Sequence, residues 1–296
     1  MDSSKVSLAI APIAWTNDDM PDLGAENTFE QCVSEMALAG YTGTEVGRKY
    51  PKDPAVLKKA LDLRGLQVCN KWFSSFLTTK DYREVEQKFI KQLDFLEQMG
   101  SRVVGPAEQG LSIQGMIDVP LEEKPVFTDE QWDKFTSGMN ALGRIAADRG
   151  FKLCFHHHMG TGCQTMEEVD RFLDATDPGL VWLLYDSGHF ACTGDDPVEA
   201  VKKYASRIGH VHLKDLRRDV HAQVISEKMS FLQAVRAGVF TVPGDGSIDF
   251  PSIFKVLEES GYQGWMVVEA EQDPALANPL EYALKAREYI RGEAGL

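Results

Sequence analysis

The chain has 296 residues, of which 43% are hydrophobic and 26% charged, and its formal net charge is −14. That length matches one (β/α)8 barrel and can bury a core large enough to fold without staples. The acidic balance disfavours nucleic acid, whose phosphates call for a dense basic footprint, and no apolar run approaches the roughly 18 residues of a membrane span. A small, neutral or cationic partner is the better expectation. The five cysteines, Cys32, Cys69, Cys154, Cys163 and Cys192, are odd in number and form no C-x-x-C pair. They point to reduced thiols in a cytoplasmic protein. The opening "MDSSKVSLAIAPIAW" superficially resembles a signal peptide but runs into Trp15-Thr16-Asn17-Asp18 without a cleavage site, so it predicts a first strand.

From there the elements follow one beat. β-rich runs fall near 6–15, 41–47, 66–73, 101–107, 151–158, 180–186, 208–214 and 264–271, with helical patterns between them and one after the last. Helical patterns stop at Gly40, Gly65, Gly100, Gly150 and Gly261, the expected left-handed position at a helix C-terminus. Asp53-Pro54, Asp196-Pro197 and Asn278-Pro279 place a capping side chain before a first-turn proline. Thr28 with Gln31, Thr128 with Gln131 and Thr165 with Glu168 have capping-box spacing. Strict alternation without a composition break predicts a parallel sheet in one domain, a single (β/α)8 TIM barrel over 1–296. Two longer connections, Glu108–Phe127 and Leu216–Asp249, read as lids or contact arms.

Chemistry in such barrels sits at the C-terminal strand ends. Those ends carry Glu45, Asn70-Lys71-Trp72, Glu108, His156-His157-His158, Asp186 with His189, His210 and His212 with Lys214, and Glu269 with Glu271. His, Asp, His and Glu on four successive strands are first-row transition-metal ligand types, and strand alternation lets one residue per strand reach a shared centre. Alternation also divides the triple histidine, with His156 and His158 expected inside and His157 toward the helices. Lys71 would orient a carbonyl or move a proton. Glu45, Lys214, Trp15 and Trp72 are candidate substrate contacts, the two tryptophans as ring-stacking surfaces. "VPGDGSIDF" reads as a turn leading to a helix cap at Asp249, since its G-x-G lacks the strand-then-helix setting of a phosphate loop.

The stretches "EVGRKYP", "CNKWFSSFLTT", "CFHHHMGT", "YDSGHF", "HVHLKDLRRDV" and, above all, "SFLQAVRAGVFTVPGDGSIDF" resemble the inosose dehydratases of inositol catabolism, a family of the xylose-isomerase-like barrels. The resemblance covers essentially the whole chain. It implies a hydro-lyase that converts 2-keto-myo-inositol (scyllo-inosose) to a trihydroxycyclohexane-1,2-dione, with Mn²⁺ or Co²⁺ and glutathione as cofactors. Superfamily relatives bind one divalent metal through Glu, Asp, His and Glu, and Asp186, His212 and Glu269 match three of those positions. Where relatives carry the remaining glutamate this chain has His156, which removes a negative charge and moves metal preference away from Mg²⁺.

Dehydration beside a ketone requires removal of the α-proton, stabilisation of the enolate and protonation of the departing hydroxide. The expected set is His156, Asp186, His212 and Glu269 as metal ligands, with His158, His189 and Lys71 as acid–base or ketone-orienting groups. The alternative is a metal-dependent keto-sugar isomerase or epimerase. The expected partner is a cyclic keto-polyol, with neither nucleic acid nor membrane; a homo-oligomer remains open.

Overall fold

The computed structural model describes residues 1–296, and in it the glycine beat is a backbone fact. Gly40, Gly65, Gly100, Gly150 and Gly261 all end helices with φ between 68° and 86°, a region that only glycine enters cheaply. Asp53, Asp196 and Asn278 cap their helices ahead of proline, and Thr128 and Thr165 complete reciprocal capping boxes. Thr28 accepts from Gln31 N, but the Gln31 side chain turns to Glu35 instead of closing the box.

The strands are β1 (Val6–Ile10), β2 (Gly43–Glu45), β3 (Gln67–Asn70), β4 (Trp72–Ser75), β5 (Val103–Glu108), β6 (Lys152–His156), β7 (Val181–Asp186), β8 (Ile208–Leu213), β9 (Asp215–Leu216), β10 (Phe240–Thr241) and β11 (Gly264–Val268). Nine pair in the order β3-β2-β1-β11-β8-β7-β6-β5-β4, every pair parallel. β3 and β4 are one run interrupted at Lys71; its first half pairs with β2 and its second with β5, which closes the ring. The molecule is therefore a (β/α)8 barrel with the eight strand positions that the sequence predicts. No helix is long and apolar enough to cross a membrane. All five cysteines are buried and unpaired.

Packing shows which way β6 faces. Phe155 lies against Phe135 and Phe172, with ring centroids 5.2 and 4.2 Å away, on helices Asp129–Asp148 and Met166–Asp174. Phe155 thus faces the helix layer, and His156 faces the barrel interior. His157, just past the strand, returns to the helix side. Its ring stacks on Phe190 at 3.9 Å, and its Nδ1–H donates to the Gln164 carbonyl at 3.1 Å.

The two long connections meet over the wide end of the barrel. Leu121 N donates to Met229 O, and Lys228 pairs with Glu122 at 2.7 Å. The second connection folds into helices Arg218–Ser226 and Phe231–Arg236 and the β9–β10 pair, with a small apolar core that includes Phe231, Phe240 and Met159.

His157 serves packing by this geometry. His157→Ala should lower stability by about 1–3 kcal/mol in denaturant titration, through the lost ring contact and the stranded Gln164 carbonyl. Metal content should stay at the wild-type level; its loss would show that the facing of β6 has been misread.

Candidate active site

A cavity of about 310 Å³ opens at the C-terminal ends of the strands. Asp186 closes β7 and also caps helix Ser187–Cys192. Its Oδ1 accepts from Gly188 N and His189 N, which turns Oδ2 toward His156 Nε2 at 3.4 Å and His212 Nδ1 at 3.5 Å. His212, on β8, is oriented from behind, because its Nε2–H donates to Glu45 Oε1 at 3.0 Å. A carboxylate can only accept, so Nε2 keeps its proton and Nδ1, on the interior side, is the nitrogen that a metal would take once its own proton is displaced. Glu269 follows β11 and is divided in the same way. Oε1 accepts from Lys214, while Oε2 lies against His212 Nδ1.

This donor set fits a divalent metal. His212 Nδ1 and Glu269 Oε2 face each other as a buried ion pair and neither has a hydrogen-bond partner outside this group, so both are available to a cation that takes the place of the proton between them. Asp186 Oδ2 and His156 Nε2 complete two nitrogen and two oxygen donors, a set suited to first-row transition ions. Burial penalises a charged His212, but Glu269 and Glu45 outweigh that and hold its imidazolium well above the ordinary range. Burial likewise opposes an ionised Glu45, yet His212 and His210 keep its carboxyl well below the usual value. A cation bound here would displace the proton between His212 and Glu269, as ligand deprotonation requires.

Beside this group lies a buried cation. Lys214 Nζ donates to Glu271 Oε1 at 2.7 Å, Glu269 Oε1 at 3.0 Å and His189 Nε2 at 3.0 Å, which uses all three ammonium hydrogens. Its stem runs over Gly188, where a Cβ would come within 2.5 Å of Lys214 Cγ. The ammonium also sits 4.8 Å from the Phe240 ring centroid. Expected to contact substrate, Lys214 is fully buried and fully paired, so it is part of the frame of the site and not its lining. His189 needs the same correction as an acid–base group. Its Nδ1–H donates to the His157 carbonyl at 3.2 Å and its Nε2 is taken by Lys214, so neither nitrogen is free to exchange a proton with substrate.

His158 differs. Its Nδ1–H donates to the Met159 carbonyl at 3.0 Å, which leaves an unprotonated Nε2, and the ring lies on the cavity wall. Burial first, then His156 and Lys214, hold it well below the ordinary pKa and therefore neutral. Trp72 stands edge-on to His156 and His158, with centroids 5.5 and 5.3 Å away, and lines the cavity.

Two further expectations fail on position. Lys71 falls between Asn70, which reaches inward to Glu45 and Gly105, and Trp72; alternation sends it outward, with Nζ 4.5 Å from the Phe95 ring centroid. Trp15 was expected at a strand end, but β1 stops at Ile10 and a 3-10 turn, Pro12–Ala14, carries the chain away. Trp15 is instead core, with Nε1–H donating to Glu35 at 2.6 Å. Glu108 also proves structural, accepting from Ser75, Leu77, Thr78 and Gly110.

Residue-by-residue reading missed Asp19 and Gln114, and named Glu271 at its strand end without giving it a role. Glu271 lines the cavity, and burial raises its carboxyl to about 7, with Lys214 opposing and Glu269 adding to the shift. Gln114 comes from the first long connection and donates to Asp19 at 2.7 Å across the mouth. The unusual length of that connection was the available signal.

The xylose isomerase-like TIM barrel family matches residues 33–292. An inosose dehydratase of Clostridium tetani is 60% identical over 99% of this chain and 98% of its own length. One from Geobacillus thermodenitrificans is 59% identical over 99% of both chains. Among solved structures, IOLI protein with a binding zinc atom superposes with a TM-score of 0.72 at 16% identity, covering 98% of each chain. The probable 3-DHS dehydratase AsbF of Bacillus anthracis gives 0.71 at 12% identity, covering 96% of this chain and 98% of that one. At such identities the superpositions speak to fold alone. The sequence relatives carry more weight, and through them the chain belongs to the inosose dehydratases of the xylose isomerase-like TIM barrel family.

Proposed function

We propose that this chain eliminates water from 2-keto-myo-inositol (scyllo-inosose) to give a trihydroxycyclohexane-1,2-dione, with Mn²⁺ or Co²⁺ held by His156, Asp186, His212 and Glu269. The observation that carries the reading is the convergence of His212 Nδ1 and Glu269 Oε2, buried with no partner outside this group, on the side where Asp186 Oδ2 also points. When bound there, the metal supplies Lewis acidity to a ketone oxygen. The zinc in the IOLI structure is consistent with a divalent ion in this fold.

The remaining chemistry falls to side chains on the cavity wall. His158 Nε2, kept neutral with its lone pair toward the cavity, is placed to take the proton next to the carbonyl. Glu271, on the same wall, is placed to hold the proton that the departing hydroxide needs. Trp72 and the Asp19–Gln114 link enclose the ring, with polar groups for its hydroxyls. Glutathione, implied by the resemblance, would act without a mixed disulfide to the folded chain, because every thiol is buried.

Turnover of scyllo-inosose by metal-stripped protein, with one metal restored at a time, tests the proposal. Activity should return with Mn²⁺ or Co²⁺, in deuterated water the enolisable carbon should gain deuterium, and the product should absorb in the ultraviolet as a conjugated enol. Recovery of an isomer of unchanged mass would favour the epimerase reading. Inertness of every metal form would sink both.

Two variants separate the roles. His158→Gln should lower kcat by roughly 10²–10⁴ while retaining metal, the loss expected of a general base. Glu45→Gln should weaken metal affinity by roughly 10–100-fold, because it replaces the carboxylate that orients His212 with a neutral, weaker acceptor. An effect of Glu45→Gln on KM alone would return Glu45 to the role of substrate contact.

A further inference from the structure

His158, His189 and Glu271 form a second group whose ligand atoms lie within 4.8 Å of one another, beside the quartet assigned to the metal. All three are buried. Carbonyl acceptors fix both imidazoles with the proton on Nδ1, so that His158 and His189 each present an Nε2 lone pair. Two imidazole nitrogens and one carboxylate are a complete three-point donor set for a transition metal. Yet Lys214 Nζ lies 3.0 Å from His189 Nε2 and 2.7 Å from Glu271 Oε1. It reaches them through a slot that exists only because residue 188 is glycine.

We propose that Lys214 is a covalently tethered stand-in for a second cation, and that His158, His189 and Glu271 form a latent metal site which its ammonium keeps closed. The proposal rests on the one-metal reading above. An ammonium here neutralises Glu271 and the near oxygen of Glu269 without adding a Lewis acid. It thereby keeps His158 and Glu271 as proton carriers, where a second metal would consume the His158 lone pair as a ligand. A monovalent charge on a tether also cannot be exchanged or chelated away, so the site stays mononuclear whatever the metal supply.

The test is metal stoichiometry. Stripped wild-type protein, titrated with Co²⁺ and followed by elemental analysis after desalting and by ligand-field absorption, should bind one equivalent. Lys214→Met should bind two, with a second set of ligand-field bands. Lys214→Met combined with His189→Gln should return to one, and so should Lys214→Arg. One equivalent in Lys214→Met, or two in the wild type, overturns the proposal. Should Lys214→Met not fold, Glu271→Gln in the otherwise native chain decides. It must keep one equivalent, and loss of that metal would make Glu271 an ordinary ligand and end the argument. A wild type that binds no Co²⁺ removes the one-metal reading itself, an outcome distinct from a Lys214→Met variant that stays at one.

Discussion

Negative charge must be compensated inside a dry barrel mouth, and the rest of the site follows from how that is done. Asp186, Glu269 and Glu271 are all buried within reach of one another, with Glu45 behind His212. Two like charges about 4 Å apart repel by roughly 4 kcal/mol even at an effective dielectric of 20. Lys214 meets that cost with one charge shared among Glu269, Glu271 and, at 3.6 Å, Asp186. Its neighbour Asp215 explains how so long a side chain is held still. The Asp215 carboxylate accepts from Leu216, Gly244, Gly246 and Ile248 N, which wraps the "VPGDGSIDF" turn around it. The glycine-rich loop therefore binds an anion supplied by its own chain, and the anchored segment begins one residue after Lys214.

The barrel contributes direction more than proximity. Asp186, His212 and Glu269 each carry one bond that aims the side chain and leaves one atom for the centre. Asp186 is aimed by the helix it caps, His212 by Glu45 and Glu269 by Lys214. These aiming bonds come from β2, the helix after β7 and the residue after β8, and they act on side chains of β7, β8 and the segment after β11, so the site depends on ring closure. The break at Lys71 serves that closure, because it lets one strand run pair with β2 and then with β5.

Much of this was legible in the sequence. Glycine at helix ends and polar caps before proline act locally, so they can be read without tertiary information. The convergence of His156, Asp186, His212 and Glu269 was readable because each lies at or next to a strand end, one strand after another. Strand ends defeated the reading where one residue decides the face. Trp15 was placed by a run drawn too long and Lys71 by taking a strand end where the run is only interrupted; the turn at Pro12–Ala14 and the interruption after Asn70 depend on neighbours that the local pattern does not contain. Lys214 and His189 were found as site residues but misassigned. Their roles are set by through-space partners on β6, β7 and the segment after β11, and nothing in "HVHLKD" announces that the lysine turns inward to three acceptors. Glu271 was named without a role for the same reason.

The exchange of a carboxylate for His156 bears on the chemistry itself. A quartet of Glu, Asp, His and Glu carries three negative charges, so that a bound divalent ion leaves the group at about −1. With His156 neutral the charge falls to two, and the same ion leaves it near zero. Burial holds the His156 imidazole below its ordinary pKa, partly opposed by Asp186, so the neutral form is the one this environment favours. An enolate oxygen developing beside a neutral centre would meet less repulsion than beside an anionic one. Loss of hydroxide leaves the dione as its enol, so stabilising that oxygen lowers the barrier to proton removal. A neutral histidine in this place thus suits the proposed reaction, which must build enolate charge before a leaving group can carry it away.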